Sequence, residues 1–172
     1  MIKAVIFDLD GTLLNTLEDL ANASNFALRS CGYNEHPIKD YIRFVGSGRY
    51  ILMKRILPEE DKNNEEAIEK VLKLFDEYYG EHMHDTTKPY DGIYELIKEL
   101  KIKNIKLAVV SNKPDEFART LQPTGFLIPD DTGGCGTETS RDHQQGRRKM
   151  SDGSLREYRD SLQYCEIVPD FI

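Results

Sequence analysis

Two aspartates one residue apart follow a nearly unbroken apolar run at the start of the chain. The stretch reads KAVIFDLDGTLLNT and places Asp8 and Asp10 directly after the run. On a strand this spacing points both side chains the same way, and Gly11 lets the chain turn sharply afterwards. Two close carboxylates repel unless a proton or a cation lies between them, and a hard divalent ion such as Mg²⁺ is the natural bridge. The stretch therefore predicts a magnesium-binding carboxylate pair.

Two neighbouring acids can take different chemical roles. One carboxylate can attack an electrophile, as in the formation of an aspartyl-phosphate. The other can carry a proton to the leaving oxygen and later take one from water. The alternative is that Asp8 and Asp10 merely cap a turn. The combination of an apolar strand, the DxDGT pattern and a capped helix favours the chemical interpretation and phosphoryl transfer.

A second polar segment follows another apolar run, IKLAVVSNK, in which Ser111 and Asn112 come directly after the run. Ligands of open parallel sheets bind beyond the carboxyl ends of the strands. Backbone amides where the next helix starts would also favour an anion there. By itself, Ser-Asn-Lys is typical of a plain turn, but paired with DxDGT it predicts an anion-binding segment.

Hydrophobic periodicity indicates a helical insertion between these two segments. Apolar residues recur at helical spacing from Leu17 to Leu28 and again from Ile68 to Tyr79, before the turn formers DTTKPYDG. We expect an α/β protein with a Rossmann-like parallel-sheet core at 1–15 and 88–172 and an all-helical cap at 16–87. The first strand is apolar on both faces, which predicts cover on both sides.

The last third of the chain departs from this pattern. Residues 130–154 contain almost nothing apolar. A composition of this kind favours loop or disorder, so we expect an incomplete or atypical end of the core.

Composition excludes several classes of protein. The chain has 172 residues and a formal net charge of −7, which argues against a nucleic-acid or membrane-surface binder. Its three cysteines form no CxxC pair and are typical of reduced thiols in a cytoplasmic protein. No run is long enough to span a membrane. The expected partner is a small molecule, and the oligomeric state stays open.

The motifs resemble those of one family. VIFDLDGTLLNT resembles the first motif of the haloacid dehalogenase superfamily of phosphohydrolases, LAVVSNK resembles the second, and the inserted helices resemble its helical cap. Within it the chain is most similar to the phosphoglycolate phosphatase-like and β-phosphoglucomutase-like branch, from Met1 to about Leu121. The resemblance implies Mg²⁺-dependent hydrolysis of a small phosphorylated metabolite, phosphoglycolate-like, through an aspartyl-phosphate.

The resemblance also implies roles for individual residues. Asp8 would be the nucleophile and Asp10 the general acid/base, with Mg²⁺ held by the Asp8 carboxylate and the Asp10 backbone carbonyl. In the cap, Arg49 within GSGRY is a candidate for contact with a substrate carboxylate or phosphate. The implied phosphate-binding residues are Gly11, Thr12, Ser111 and Asn112.

The third and fourth motifs of the family are degraded in this chain. Lys149 is the candidate for the third-motif lysine, and Asp160 is the candidate for the remaining metal ligand. An out-of-frame or truncated last third is one hypothesis for this departure. Two alternatives to the phosphatase therefore remain: a phosphomutase of the same branch, and a catalytically impaired phosphate- or partner-binding protein.

Overall fold

The computed structural model describes residues 2–121 and three strand segments at 148–149, 155–156 and 164–167. The predictions made for most of 130–154 and for Asp160 lie outside these residues. We keep the terms core and cap for the predicted division at 15/16 and 87/88, which stays a prediction. In the described part of the chain, no helix is both long and apolar enough to cross a bilayer.

The central sheet contains the two strands that the sequence predicts. β1 (Ala4–Phe7) and β4 (Lys106–Ser111) pair in parallel. A third strand, β7 (Tyr164–Ile167), pairs antiparallel with the other edge of β4. The parallel pair confirms the expected α/β class, whereas the antiparallel strand was not predicted, because its weak apolar pattern gives no direction.

Helices and short strands complete the described structure. The helices are α1 Leu17–Ser30, α2 Tyr41–Phe44, α3 Arg49–Ile56, α4 Glu65–His82, α5 Ile93–Ile102 and α6 Asp115–Thr120, with a 3₁₀ turn at Ile38–Asp40. The short antiparallel pairs are β2 Leu14–Asn15 with β3 Lys88–Pro89, and β5 Arg148–Lys149 with β6 Leu155–Arg156.

The cap has its own hydrophobic core between α1 and α4. Small side chains on α1 face large ones on α4, so the two helices approach closely. The buried residues are Ala21, Ala23, Ala27 and Leu28 on α1 and Ile68, Val71, Phe75 and Tyr79 on α4. The α4 residues recur at spacings of three and four, as do the buried Leu20, Ser24, Ala27 and Leu28 on α1, so each set lies on one helix face as predicted. Burial of each large side chain contributes about 1.5–3 kcal/mol.

The cover expected on both faces of β1 is present on only one face within the described residues. Val5 and Phe7 pack against the hydrophobic core, but Ile6 is 66% exposed. Alternate side chains of a strand point to opposite faces, so the two sets can differ in this way. The prediction of double cover is wrong for the part of the fold described.

The two connections between core and cap lie side by side. Leu14 pairs with Pro89 and Asn15 with Lys88, so the chain enters and leaves the cap through one antiparallel strand pair. Beyond that pair, the buried carboxylate of Asp19 binds the returning connection. The start of α1 and the segment that follows α4 are therefore held together where the chain enters and leaves the cap.

Candidate active site

The carboxyl ends of the two parallel strands meet at one pocket. Asp8 follows β1 directly, and Ser111 is the last residue of β4. Both line a pocket whose opposite wall comes from the cap, including Arg49 and Tyr79. The predicted residues Asp8, Asp10, Ser111, Asn112 and Arg49 therefore lie together, although they come from distant parts of the sequence.

Asp8 stands at this pocket with its carboxylate partly fixed. Its Oδ1 accepts a hydrogen bond from the Leu9 amide at 2.7 Å. Although much of the residue is exposed, desolvation by the surrounding protein raises the pKa of the Asp8 carboxyl. The Leu9 amide opposes that rise, and the nearby charge of Asp10 adds to it. A cation placed at Asp8 would favour the charged carboxylate.

Asp10 is held more firmly than Asp8. Its Oδ1 accepts hydrogen bonds from the Thr16 hydroxyl at 2.8 Å and from Lys113 Nζ at 3.1 Å. Its Oδ2 lies 3.2 Å from the same ammonium. Thr16 stands at the N-cap of α1 but makes no side-chain cap bond. Its hydroxyl donates to Asp10 instead, so the residue that precedes α1 helps to orient the Asp10 carboxylate.

Lys113 is a residue of the pocket that sequence analysis missed. Its side chain is 3% exposed, and its ammonium lies 4.7 Å from the centre of the Tyr79 ring. Burial lowers the pKa of Lys113, and the charge of Asp10 opposes that shift. The signal was available, because Lys113 follows Ser111 by only two residues, just beyond the carboxyl end of β4 where ligands of parallel sheets bind. The sequence motifs had indicated Lys149 as the candidate lysine.

Ser111 and Asn112 have different surroundings. Ser111 is 2% exposed, and its Oγ accepts a hydrogen bond from the Lys113 amide at 3.2 Å. The Asn112 side chain donates from Nδ2 to the Gly46 carbonyl of the cap at 2.9 Å. Asn112 therefore joins the core to the cap loop, a contact that the sequence did not indicate.

Arg49 reaches the pocket from the first turn of α3. Its Nη1 lies 2.7 Å from Asp76 Oδ2 and 3.7 Å from Glu116 Oε1. The guanidinium also stands 6.0 Å from the centre of the Phe117 ring. Burial raises the pKa of Asp76, and Arg49 opposes that rise. Arg49 is thus held at the boundary of cap and core between two acids.

Gly11 and Thr12 occupy the turn after β1. Gly11 has a φ of +76°, in the left-handed region that favours glycine, and the Thr12 amide donates to the Leu9 carbonyl at 3.3 Å. Both residues are exposed and neither is among the residues that line the pocket. Their role in phosphate binding stays a prediction.

Lys149 and Asp160 are not brought to this pocket by anything the structure describes. The backbone of Lys149 lies in β5, which pairs only with β6 in the described segments. Asp160 lies outside the described residues. Both assignments stay predictions.

The donor set fits Mg²⁺ in part. Asp8 and Asp10 supply the hard oxygen ligands that this ion prefers. Within residues 2–121 and the described strand segments, no group of three or more His, Cys, Asp or Glu side chains could hold a metal ion. Two protein ligands suit Mg²⁺, since it keeps several waters and binds through one or two carboxylates plus substrate phosphate.

The fold and the pocket define a class of protein: a parallel-stranded α/β core with paired aspartates at its strand ends and a helical insertion above them. Residues 5–125 match the haloacid dehalogenase-like hydrolase family. The chain belongs to this family. The resemblance stated from the sequence is therefore confirmed.

Individual relatives point to one branch of the family. The chain is 34% identical over 122 residues to a phosphoglycolate phosphatase of Thiobacillus denitrificans, covering 70% of this chain and 54% of that protein. It is 37% identical over 123 residues to a phosphoglycolate phosphatase of Vibrio vulnificus, covering 67% and 53%. The crystal structure of a predicted phosphoglycolate phosphatase from Haemophilus somnus superposes with a TM-score of 0.61 at 32% identity, covering 67% and 53%. The chain thus spans about half the length of the relatives it matches.

Proposed function

We propose that this protein is a Mg²⁺-dependent phosphatase that hydrolyses a small, phosphoglycolate-like phosphomonoester through an aspartyl-phosphate. The observation that carries the proposal is the pocket in which Asp8, Asp10 and Ser111 meet at the ends of two parallel strands. Relatives named phosphoglycolate phosphatase support the choice of substrate class.

In the proposed reaction, Asp8 and Asp10 divide the work. A carboxylate oxygen of Asp8 attacks phosphorus, the bond from phosphorus to the ester oxygen breaks, and Asp10 gives that oxygen a proton so that an alcohol leaves. Water then attacks the phosphorus of the aspartyl-phosphate and gives a proton to Asp10. Asp8 is regenerated and inorganic phosphate is released.

The surrounding residues bind and orient the phosphoryl group. The Ser111 hydroxyl lies in the pocket beside Asp8 and would hold a phosphoryl oxygen. Asp8 and the backbone carbonyl of Asp10 would hold Mg²⁺, which when bound supplies positive charge against the carboxylates and the phosphoryl oxygens. Cap residues line one wall of the pocket, and closure of the cap over a bound substrate would exclude water from the first step.

Arg49 is the proposed contact to the rest of the substrate. It is a charged cap residue at the pocket, and its guanidinium can bind a carboxylate through two parallel hydrogen bonds. Binding would require it to exchange part of its contact with Asp76 or Glu116 for the substrate. A substrate that carries a carboxylate as well as a phosphate fits this arrangement.

A non-catalytic phosphate-binding protein is the second candidate. It is favoured by the degraded third and fourth motifs, since no described segment brings Lys149 or Asp160 to the pocket. Metal and phosphate binding without turnover is the behaviour that this candidate predicts.

The test is hydrolysis of p-nitrophenyl phosphate and of phosphoglycolate, with Mg²⁺ and after chelation, by the wild type, Asp8→Asn and Asp91→Asn. Asp91 is an exposed aspartate outside the pocket and serves as the matched control. The phosphatase proposal expects Mg²⁺-dependent release of phosphate that Asp8→Asn abolishes and Asp91→Asn retains. A folded wild type that binds orthovanadate but releases no phosphate would favour the binding protein instead.

A further inference from the structure

We propose that Lys113 is the positioning residue for Asp10, and that the Tyr79 ring of the cap completes its setting. This inference rests on the proposed function, because it assigns a role in the same site to a lysine that follows β4. Lys113 comes two residues after β4, whereas Asp10 comes from the turn after β1. The contact between them therefore joins the two strand ends that build the pocket.

The geometry of the pair fixes the carboxylate. One ammonium lies 3.1 Å from Asp10 Oδ1 and 3.2 Å from Oδ2, so it approaches the carboxylate between its two oxygens. The Thr16 hydroxyl approaches Oδ1 from the start of α1 at 2.8 Å. These two anchors come from different elements and restrict both the position and the rotation of the Asp10 side chain. A proton carrier works best when its distance to the reacting oxygen is fixed in this way.

Lys113 is shielded from solvent, whereas its partner Asp10 is partly exposed. The Lys113 side chain is 3% exposed, whereas that of Asp10 is 21% exposed. Lysine is almost never fully buried without a charged partner, because an unpaired ammonium loses its hydration. The ammonium is therefore committed to Asp10, while Asp10 keeps a surface toward the pocket where a substrate would lie.

The cap closes the remaining side of the ammonium. The Tyr79 ring on α4 is 1% exposed, and its centre lies 4.7 Å from Lys113 Nζ, within cation–π range. Withdrawal of α4 would let water reach the ammonium and weaken its hold on the carboxylate, since charge interactions are stronger where water is excluded. Lys113 thus makes the orientation of Asp10 depend on the position of the cap.

The test compares Lys113→Met, Lys113→Ala and the control Lys103→Met in the hydrolysis of p-nitrophenyl phosphate. Methionine keeps the unbranched stem without the charge, and Lys103 is an exposed lysine on the core. We expect Lys113→Met to lower kcat about 100-fold, the order of loss that misplacement of a reacting group causes. KM should change far less, because the lost contact matters mainly in the transition state. Lys103→Met should match the wild type.

Two further measurements separate positioning from a purely structural role. Ethylamine or propylamine added to Lys113→Ala should restore part of kcat, because the cavity left by the side chain can admit a small amine beside Asp10. Tyr79→Leu should lower kcat below that of Tyr79→Phe, since only phenylalanine keeps a ring over the ammonium. Circular dichroism of each variant shows whether it is folded, and the two Tyr79 variants provide the comparison even where a Lys113 variant does not fold.

The possible failures are distinguishable. A wild type with Asp8-dependent hydrolysis and a folded Lys113→Met of equal kcat would overturn the role of Lys113 and leave the proposed phosphatase intact. Lower stability of Lys113→Met with unchanged kcat would make the ion pair structural only and would overturn the role equally. A wild type without Asp8-dependent hydrolysis would overturn the proposed function, and the catalytic role of Lys113 with it.

Discussion

Asp19, in the first turn of α1, binds the segment through which the chain leaves the cap. Its removal should lower the stability of the protein by more than is usual for a residue at a helix start. Its carboxylate is 2% exposed and accepts hydrogen bonds from across the fold. Oδ1 accepts the Thr86 hydroxyl at 2.6 Å and the Thr86 amide at 3.0 Å, and Oδ2 accepts the Thr87 amide at 2.8 Å. The perturbation we consider is Asp19→Ala.

The expected loss follows from these three donors. A hydrogen bond to a charged group contributes about 1.5–3 kcal/mol, and a buried donor left without a partner costs about 1–3 kcal/mol. Thr86 is exposed, so in the variant its hydroxyl and amide can form hydrogen bonds with water that replace part of the loss. The contributions are therefore less than additive, and we expect Asp19→Ala to lower the free energy of unfolding by roughly 2–4 kcal/mol.

The assay is urea unfolding followed by circular dichroism, with Glu18→Ala as the matched control. Glu18 precedes Asp19 in the same first turn of α1 and also favours the positive end of the helix, but it is exposed. Its replacement should change the free energy of unfolding by no more than about 0.5 kcal/mol. Equal losses for the two variants would refute the reasoning, because the helix terminus and not the long-range hydrogen bonds would then account for the effect.

Three further predictions concern acid stability, a buried hydroxyl and the cap arginine. The hydrogen bonds from Thr86 and Thr87 outweigh burial and hold the pKa of Asp19 below its ordinary value of 3.8. A depressed pKa stabilises the fold above that value, so the stability difference between wild type and Asp19→Asn should shrink as pH falls below about 3.8 in a urea series; a constant difference would contradict this. The Tyr79 hydroxyl is buried without a hydrogen-bond partner among the described residues. The free energy of unfolding of Tyr79→Phe should therefore be higher than that of the wild type or lower by no more than about 0.5 kcal/mol, and a larger loss in urea unfolding would contradict this. Arg49→Met should raise KM for phosphoglycolate about tenfold, and more than for p-nitrophenyl phosphate, which lacks the carboxylate; an equal rise for both, or the same rise in Glu116→Gln, would contradict a contact with the substrate carboxylate.

Much of the fold is readable from local patterns in the sequence. The apolar runs before Asp8 and before Ser111 predict β1 and β4, and the helical spacing of apolar residues predicts α1 and α4. These patterns are readable because each depends on neighbours within a few positions along the chain. The paired aspartates are readable for the same reason, since their chemistry follows from a spacing of two.

The partners of Asp10 and of Asp19 became known only from the tertiary structure. Lys113 binds Asp10 across 103 positions, and Thr86 and Thr87 bind Asp19 across 67 and 68. No local periodicity encodes such pairs, because they depend on how the parallel strands and the two cap connections come together in space. A lysine was expected for the site from the resemblance, and the sequence offered Lys149 for it. The Lys149 assignment stays a prediction. The described structure places a different lysine, Lys113, beside Asp10, because parallel pairing of β1 and β4 brings the carboxyl ends of both strands to the same edge of the sheet.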